Sequence, residues 1–284
     1  MFTKLKHVAI VSDRFTLLGK FYQTIFGMKS STSATSEPRG AATVGDGYVG
    51  LNINSRSPGR QSGLDHFGFE VEDVETVFAR LKSKYPKIKV LQRPGGRSFA
   101  GISTHDPAGN VFDLSKGMGK RRGVYEEGEW QQPRHLNHLA LRAVNPESLA
   151  EFYTEVFELQ ALEKPAGDSN YYLSDGRLTF TIMPWDITDF LGSGIERPAL
   201  DHLGFHVESV QALQNDLNAL AESDPSLAPR RARKAPEGDA RQRLFTTCPH
   251  GMYHLADPDG VLIDVTDKPE INSASVQTNS HTSK

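Results

Sequence analysis

Leu200-Asp201-His202-Leu203-Gly204-Phe205-His206-Val207 alternates in the manner of a β-strand, with His202, Gly204 and His206 on one face and Leu203, Phe205 and Val207 on the other. Two histidines flanking a glycine, which leaves room above the backbone, suit the floor of a pocket better than a packed core. Nearly the same words stand earlier, as Leu64-Asp65-His66-Phe67-Gly68-Phe69-Glu70-Val71. The chain is therefore read first for internal repetition.

The echo extends outward in both directions. Lys6-His7-Val8-Ala9-Ile10-Val11 reads as a strand followed by a helix carrying Phe21-Tyr22 and Phe26-Gly27, and Asn137-His138-Leu139-Ala140-Leu141-Arg142 is a strand followed by a helix carrying Phe152-Tyr153 and Phe157-Glu158. Helices are expected over Val74 to Ser83 and Val210 to Ala221, after the His66 and His202 strands. Asp106-Pro107-Ala108-Gly109 and Asp257-Pro258-Asp259-Gly260 are turn signals, each followed by an apolar strand that ends in Asp113 or Asp264. The spacing between halves is 136 positions from His66 to His202 and 151 from Asp106 to Asp257, which places about fifteen extra residues between Glu222 and His250. That insert holds Arg230-Arg231-Ala232-Arg233-Lys234 and reads as a solvated loop, because no aromatic residues interleave its charges as in a nucleic-acid groove.

Four units follow, over 4–54, 63–116, 134–185 and 199–268, each read as a strand, a helix and further short strands. The expected class is α+β. The halves are 1–116 and 134–268, a glycine-rich charged linker covers 117–133, and a polar disordered tail covers 269–284. With 284 residues, 24% charged and 37% hydrophobic, the chain can build a sizeable core, and its net charge of −3 favours neither nucleic acid nor an anionic membrane. A single cysteine, Cys248, excludes an internal disulfide and fits a reducing, cytoplasmic setting; no secretion signal or membrane-length apolar run is read.

On His7, His66 and Asp113, and again on His138, His202 and Asp264, together with the Asp-Pro-x-Gly turns and the Phe-Tyr helices, the sequence resembles the vicinal-oxygen-chelate superfamily of glyoxalases, bleomycin-resistance proteins and type I extradiol dioxygenases. The resemblance implies four βαβββ modules paired into two domains with curled mixed sheets. In such a fold two imidazoles and one carboxylate can meet on one side of an ion, leaving positions for two neighbouring substrate oxygens and for O2 or water. The extradiol likeness puts the metal on His138, His202 and Asp264, with Fe(II) first and Mn(II), Zn(II) or Ni(II) as alternatives; His7, His66 and Asp113 form a second possible set. Asp113 and Asp264 can also be read as ordinary strand-end carboxylates bonding backbone amides.

The family differs from this chain at three places. It has glutamate where Asp264 stands, a histidine in the region that here reads Met183-Pro184-Trp185-Asp186-Ile187, and a tyrosine where His254 follows Tyr253. His206, His250, His254 and Tyr253 are accordingly the candidate proton carriers, His206 foremost because it shares a face with His202. Tyr171, Tyr172 and Trp185 are candidate walls for an aromatic substrate. The implied activity is metal-dependent cleavage of a catechol-like small molecule with O2. Its competitors are a redox-neutral glyoxalase-like isomerase, epimerase or lyase and a non-catalytic binder of aromatic ligands. Sheet edges make a homo-oligomer an expectation by analogy.

Overall fold

The structure, a computed structural model, describes residues 1–30, 40–93, 101–116, 132–193, 195–230 and 236–268. In the N-terminal half, β1 (Thr3–Ser12), α1 (Phe15–Phe26), β2 (Lys29–Ser30), β3 (Ala41–Gly45) and β4 (Gly50–Ser55) form one unit. β5 (Gly63–Val71), α2 (Val74–Lys84), β6 (Leu91–Gln92), β7 (Ile102–His105) and β8 (Val111–Ser115) form the next. The C-terminal half repeats this with β9 (His135–Ala143), α3 (Pro146–Phe157), β10 (Gln160–Ala161), β11 (Tyr171–Ser174) and β12 (Thr179–Pro184), followed by a short helix α4 (Ile187–Ser193). The last unit contains β13 (Leu200–His206), α5 (Val210–Ser223), α6 (Pro236–Phe245), β14 (Tyr253–Ala256) and β15 (Leu262–Thr266).

Each half makes one open mixed sheet, in the order β2-β3-β4-β1-β5-β8-β7-β6 and β10-β11-β12-β9-β13-β15-β14. The two units of a half join through an antiparallel pair of their first strands, β1 with β5 and β9 with β13. An isolated bridge from Arg230 to Ala256 stands beside β14, where β6 stands beside β7 in the other half. Local chemistry fixes the helix starts: Asp73, Asn145 and Ser209 accept from backbone N–H groups of the first turns of α2, α3 and α5, and Pro146 opens α3. Gly109 and Gly260 take φ of 90° and 103° in the two Asp-Pro-x-Gly turns, a region costly for any residue with a Cβ.

The sheet faces that carry Leu203, Phe205 and Val207, all fully buried, pack into one core shared by both halves. Phe205 stacks on Phe26, and Phe67 and Phe69 meet Phe180 and Phe157 of the opposite half at ring-centre distances of 5.3 Å and 5.0 Å. The halves are also joined reciprocally by hydrogen bonds. Tyr22 Oη on α1 donates to Asp257 Oδ2 (3.0 Å), and Tyr153 Oη on α3 donates to Asp106 Oδ2 (2.7 Å). Leu5 N donates to Asp175 and Leu136 N to Asp46, each at 2.8 Å. Burial pushes the Asp257 carboxyl up to about 6 even with three backbone N–H donors on its Oδ1. Removing one hydrogen-bond partner of a buried carboxyl costs about 1–3 kcal/mol. Tyr22→Phe and Tyr153→Phe are each expected to lose stability in that range, read as a lower urea midpoint with an unchanged slope; an unchanged midpoint would show that these bonds do not hold the halves together.

Helices α2 and α5 run one and two residues past their expected ends. The insert differs more. Instead of a loop throughout, it builds a 3-10 turn at Pro225–Leu227 and α6, whose last residue, Phe245, is 1% exposed. The basic run from Arg231 to Lys234, most of the 117–133 linker and the 269–284 tail lie outside the described residues. No described helix is long and apolar enough to cross a membrane.

Candidate metal centre

The strand register assembles the C-terminal cluster. His138 on β9 stands opposite Gly204 on β13, Asp264 on β15 flanks the same glycine from the other side, and His202 pairs one step along with Ala140. A Cβ on Gly204 would lie 1.9 Å from His138 Nδ1, so the glycine makes the space the imidazole occupies. Gly251 does the same for Asp264, whose Oδ1 would be 1.4 Å from an added Cβ.

The result is a convergence of donors with 1%, 0% and 0% exposure for His138, His202 and Asp264. His138 Nε2 lies 3.5 Å and His202 Nε2 3.8 Å from Asp264 Oδ2, and Cys248 Sγ lies 3.8 Å from His138 Nε2. Ligand atoms of all four residues fall within 4.8 Å of one another. An ion with bonds of ~2.0–2.3 Å spaces tetrahedral N, O and S donors by roughly 3.3–3.6 Å, close to these separations. His202 Nε2 and both Asp264 oxygens are buried with no hydrogen-bond partner. Bare groups of this kind are costly in a protein interior, and an ion between them removes the cost. Two imidazoles, a carboxylate and a thiol fit Zn(II) or Fe(II), with the sulfur making Mn(II) less favoured. Cys248, which the sequence did not require as a ligand, stands within reach of the same point.

The outward nitrogens are held in place. Asn137 Oδ1 lies 2.9 Å from His138 Nδ1, and Asp201 Oδ2 lies 2.7 Å from His202 Nδ1. Asp201 Oδ1 accepts from Arg142 Nε and Arg241 Nη1, both at 2.9 Å. Burial pushes Asp201 up, but the His202 hydrogen bond and the two guanidinium charges outweigh it and hold the carboxyl far below its usual range. Burial likewise opposes the ionisation of Asp264, and the imidazoles of His138, His202 and His254 prevail to keep it low. Burial pushes His138 down and the Cys248 thiol up.

His254 stands opposite Asp264 on β14, with Nε2 3.1 Å from Asp264 Oδ1. The ring of His250 lies 5.0 Å from His138 and 5.2 Å from Tyr172, and burial with the nearby His138 pushes it down to about 3. Burial also lowers His254, so both are neutral bases at the edge of the centre. Other expected site residues lie apart. A register shift on β9, where Asn137 is skipped, brings His135 opposite His206, with ring centres 5.2 Å apart, outside the donor cluster. Tyr253 pairs with Val265 and packs on the core. Tyr171 lies under Lys164 Nζ at 3.5 Å, whereas Trp185 donates to Ile195 O. Tyr172 faces His250 and donates to Asp168.

Phe245, at the end of α6, covers the cluster with ring centres 4.7 Å from both His202 and His254. Ring contacts of this kind contribute about 0.5–1.5 kcal/mol each. Phe245→Leu keeps an apolar cover while losing them, and is expected to speed chelator extraction of the C-terminal ion by about tenfold. An unchanged extraction rate would show that α6 does not control access. A cavity lined by Arg142, Asp168, Asn170, Leu244 and Thr247, about 350 Å³, lies on the Arg142 flank of this cover.

The N-terminal half has the same register: His7 opposite Gly68, Asp113 beside Gly68 and His66 opposite Ala9. His66 Nε2 is 3.3 Å from both His7 Nε2 and Asp113 Oδ2. Among the described residues, no backbone amide donates to either strand-end aspartate; Asp113 accepts from Ser103 Oγ, which occupies the place of His254. Asp65 Oδ2 lies 2.6 Å from His66 Nδ1 and receives Arg60. Although burial opposes it, Asp113 and Asp65 push His66 up to about 9.

Asp201, Arg142 and Phe245 were missed from sequence. The repeated Asp-His pair at 65–66 and 201–202, and an arginine inside the apolar run of β9, were the available signals for the first two. Phe245 lies in the insert, which has no counterpart to compare.

Residues 4–114 match the Glyoxalase/Bleomycin resistance protein/Dioxygenase superfamily. No curated protein matches the chain in sequence. Among solved structures, the chain is similar to the Mn(II)-bound glyoxalase from Novosphingobium aromaticivorans, at 16% identity and TM-score 0.59, over 95% of this chain and 83% of that one. It is also similar to the 2,3-dioxygenase LapB from Pseudomonas sp. KL28, at 17% identity and TM-score 0.60, over 92% and 91% of the two chains. A catechol 2,3-dioxygenase matches at 14% identity and TM-score 0.60, over 93% and 87%. At these identities the similarity shows a shared fold.

Proposed function

We propose, for a chain whose residues 4–114 are a domain of the Glyoxalase/Bleomycin resistance protein/Dioxygenase superfamily, a metal-dependent dioxygenase acting on a catechol-like small molecule at the C-terminal centre. The observation that supports it is the convergence of His138 Nε2, His202 Nε2 and Asp264 Oδ2 in one buried site with two neutral imidazoles beside it. Solved dioxygenases among the structures of the same fold favour the same reading.

His138, His202 and Asp264 are the residues that would hold the ion, with Cys248 within reach as a displaceable fourth donor. An Fe(II) ion there would supply adjacent positions for two vicinal oxygens and for O2. The remaining residues bind and move protons. His250 Nε2 is buried without a hydrogen-bond partner, and as a neutral imidazole it can accept a hydrogen bond that orients a substrate hydroxyl. His254, beside Asp264 Oδ1, can hold a second proton, and Phe245 shields His202 and His254 from water.

The test is oxygen uptake by Fe(II)-loaded protein over a panel of catechols, with His250→Gln and His254→Gln expected to lose about 10²–10⁴-fold in kcat while keeping the metal. Equal turnover without oxygen would overturn the dioxygenase reading. It would favour a redox-neutral isomerase or lyase, a second reading supported by the sulfur donor at Cys248, which suits Zn(II).

A further inference from the structure

We propose that His7, His66 and Asp113 form a second, independent metal centre, open to solvent and made only of nitrogen and oxygen donors. The proposal does not rest on the reaction assigned to the C-terminal half.

Three observations carry it. The first is convergence: His66 Nε2 is 3.3 Å from both His7 Nε2 and Asp113 Oδ2, and ligand atoms of the three residues lie within 4.8 Å of one another. Donors bound at ~2.0–2.2 Å in a facial or tetrahedral set stand roughly 3.0–3.5 Å apart. A purely structural cluster explains this less well. His66 Nε2 carries at most one N–H and faces two groups, His7 Nε2 and Asp113 Oδ2, equally near it. Asp113 Oδ2 is moreover buried without a well-formed hydrogen bond.

The second observation is support behind the ligands. Asp65 holds His66 Nδ1 and is itself held by Arg60, while Ser103 Oγ donates to the other oxygen of Asp113. Carboxylate behind imidazole, with the ligating carboxylate hydrogen-bonded in turn, is how metal ligands are oriented. The third is the difference from the C-terminal centre. The His66 side chain keeps 20% of its surface exposed against 0% for His202. The only cysteine of the chain is used in the other half. Three protein ligands with an accessible side describe a site that keeps exchangeable positions. Two neighbouring oxygens of a small ligand can fill those positions.

The experiment strips the intact protein with a chelator and titrates it with Co(II) under dialysis, following stoichiometry and the near-ultraviolet sulfur-to-cobalt charge-transfer band. About two ions per chain are expected, with the band marking only the Cys248 site. His66→Gln is expected to weaken one site by about 100-fold and leave the band intact. Asp113→Asn is expected to repeat this, with circular dichroism and melting confirming a folded chain. His202→Gln is expected to remove the band and leave the N-terminal ion. Wild-type binding of about one ion, always with the band, would overturn the proposal. So would undiminished two-ion loading of a folded His66→Gln. Loss of an ion in His66→Gln with no band in any variant would support the N-terminal site while removing Cys248 from the other.

Discussion

Gly204→Ala is expected to empty the C-terminal centre while leaving the protein folded. The added Cβ would fall 1.9 Å from Nδ1, 2.0 Å from Cε1 and 2.4 Å from Cγ of His138. Carbon atoms do not approach others closer than ~3.4 Å without repulsion, so the imidazole has to move by more than an ångström. His138 is 1% exposed, and its ring is bounded by Asn137, Cys248 and His250, so it has no free volume to move into. A shift breaks the Asn137 contact and withdraws Nε2 from Asp264. Loss of one ligand from such a set exceeds the ~10–100-fold cost of losing a supporting partner, so affinity is expected to fall by more than that. Overpacking adds about 1–3 kcal/mol of destabilisation. Metal content after dialysis, beside a melting curve, checks both; a folded Gly204→Ala that retains its C-terminal ion would show that His138 is not a ligand.

Asp201→Ala is expected to cause the largest loss of stability among these substitutions. The Arg142 side chain is 2% exposed and receives its compensating charge from Asp201. Its other bonds go to the carbonyls of Pro184 and Leu244, which bring no net charge. Breaking a buried ion pair from one side costs about 3–5 kcal/mol, because the remaining charge stays buried. The same change frees His202 Nδ1 and lowers metal affinity by ~10–100-fold. Asp201→Asn separates the effects, since it can keep the imidazole contact while losing the charge. The carboxyl is depressed in the folded state, so its contribution is full above the ordinary carboxylate pKa of ~3.9 and declines as pH falls below it. In Asp201→Ala that part of the acid dependence should vanish. A urea midpoint within ~0.5 kcal/mol of wild type would show that Arg142 finds other compensation.

His138, His202 and Asp264 were legible in the sequence because strand alternation fixes which side chains share a face, and because the same words recur in the other half. Gly204 was legible for the same reason, as space in a floor. His206 shares the His202 face, as the period-2 rule says, but stands further along β13; the register shift falls on β9, where Asn137 is skipped, and brings His135 opposite it. Cys248 and Phe245 depend on how an insert folds back over the sheet. Nothing in its composition fixes that path, and the repeat offers no template there. Asp201 was hidden by its ordinary appearance, an acid at a strand start, although Asp65 stands in the same place before His66.

The exchange of Tyr22 to Asp257 and Tyr153 to Asp106 makes each half the binding partner of the other, as in a two-fold dimer whose subunits share one chain. Tethering replaces a concentration-dependent association with an intramolecular one, at an effective concentration of order millimolar for a short flexible link. Dilution therefore cannot separate the pair. Because each turn is fastened from across the interface, a change that loosens one half is felt by the other, and neither can drift in sequence without the consent of its twin.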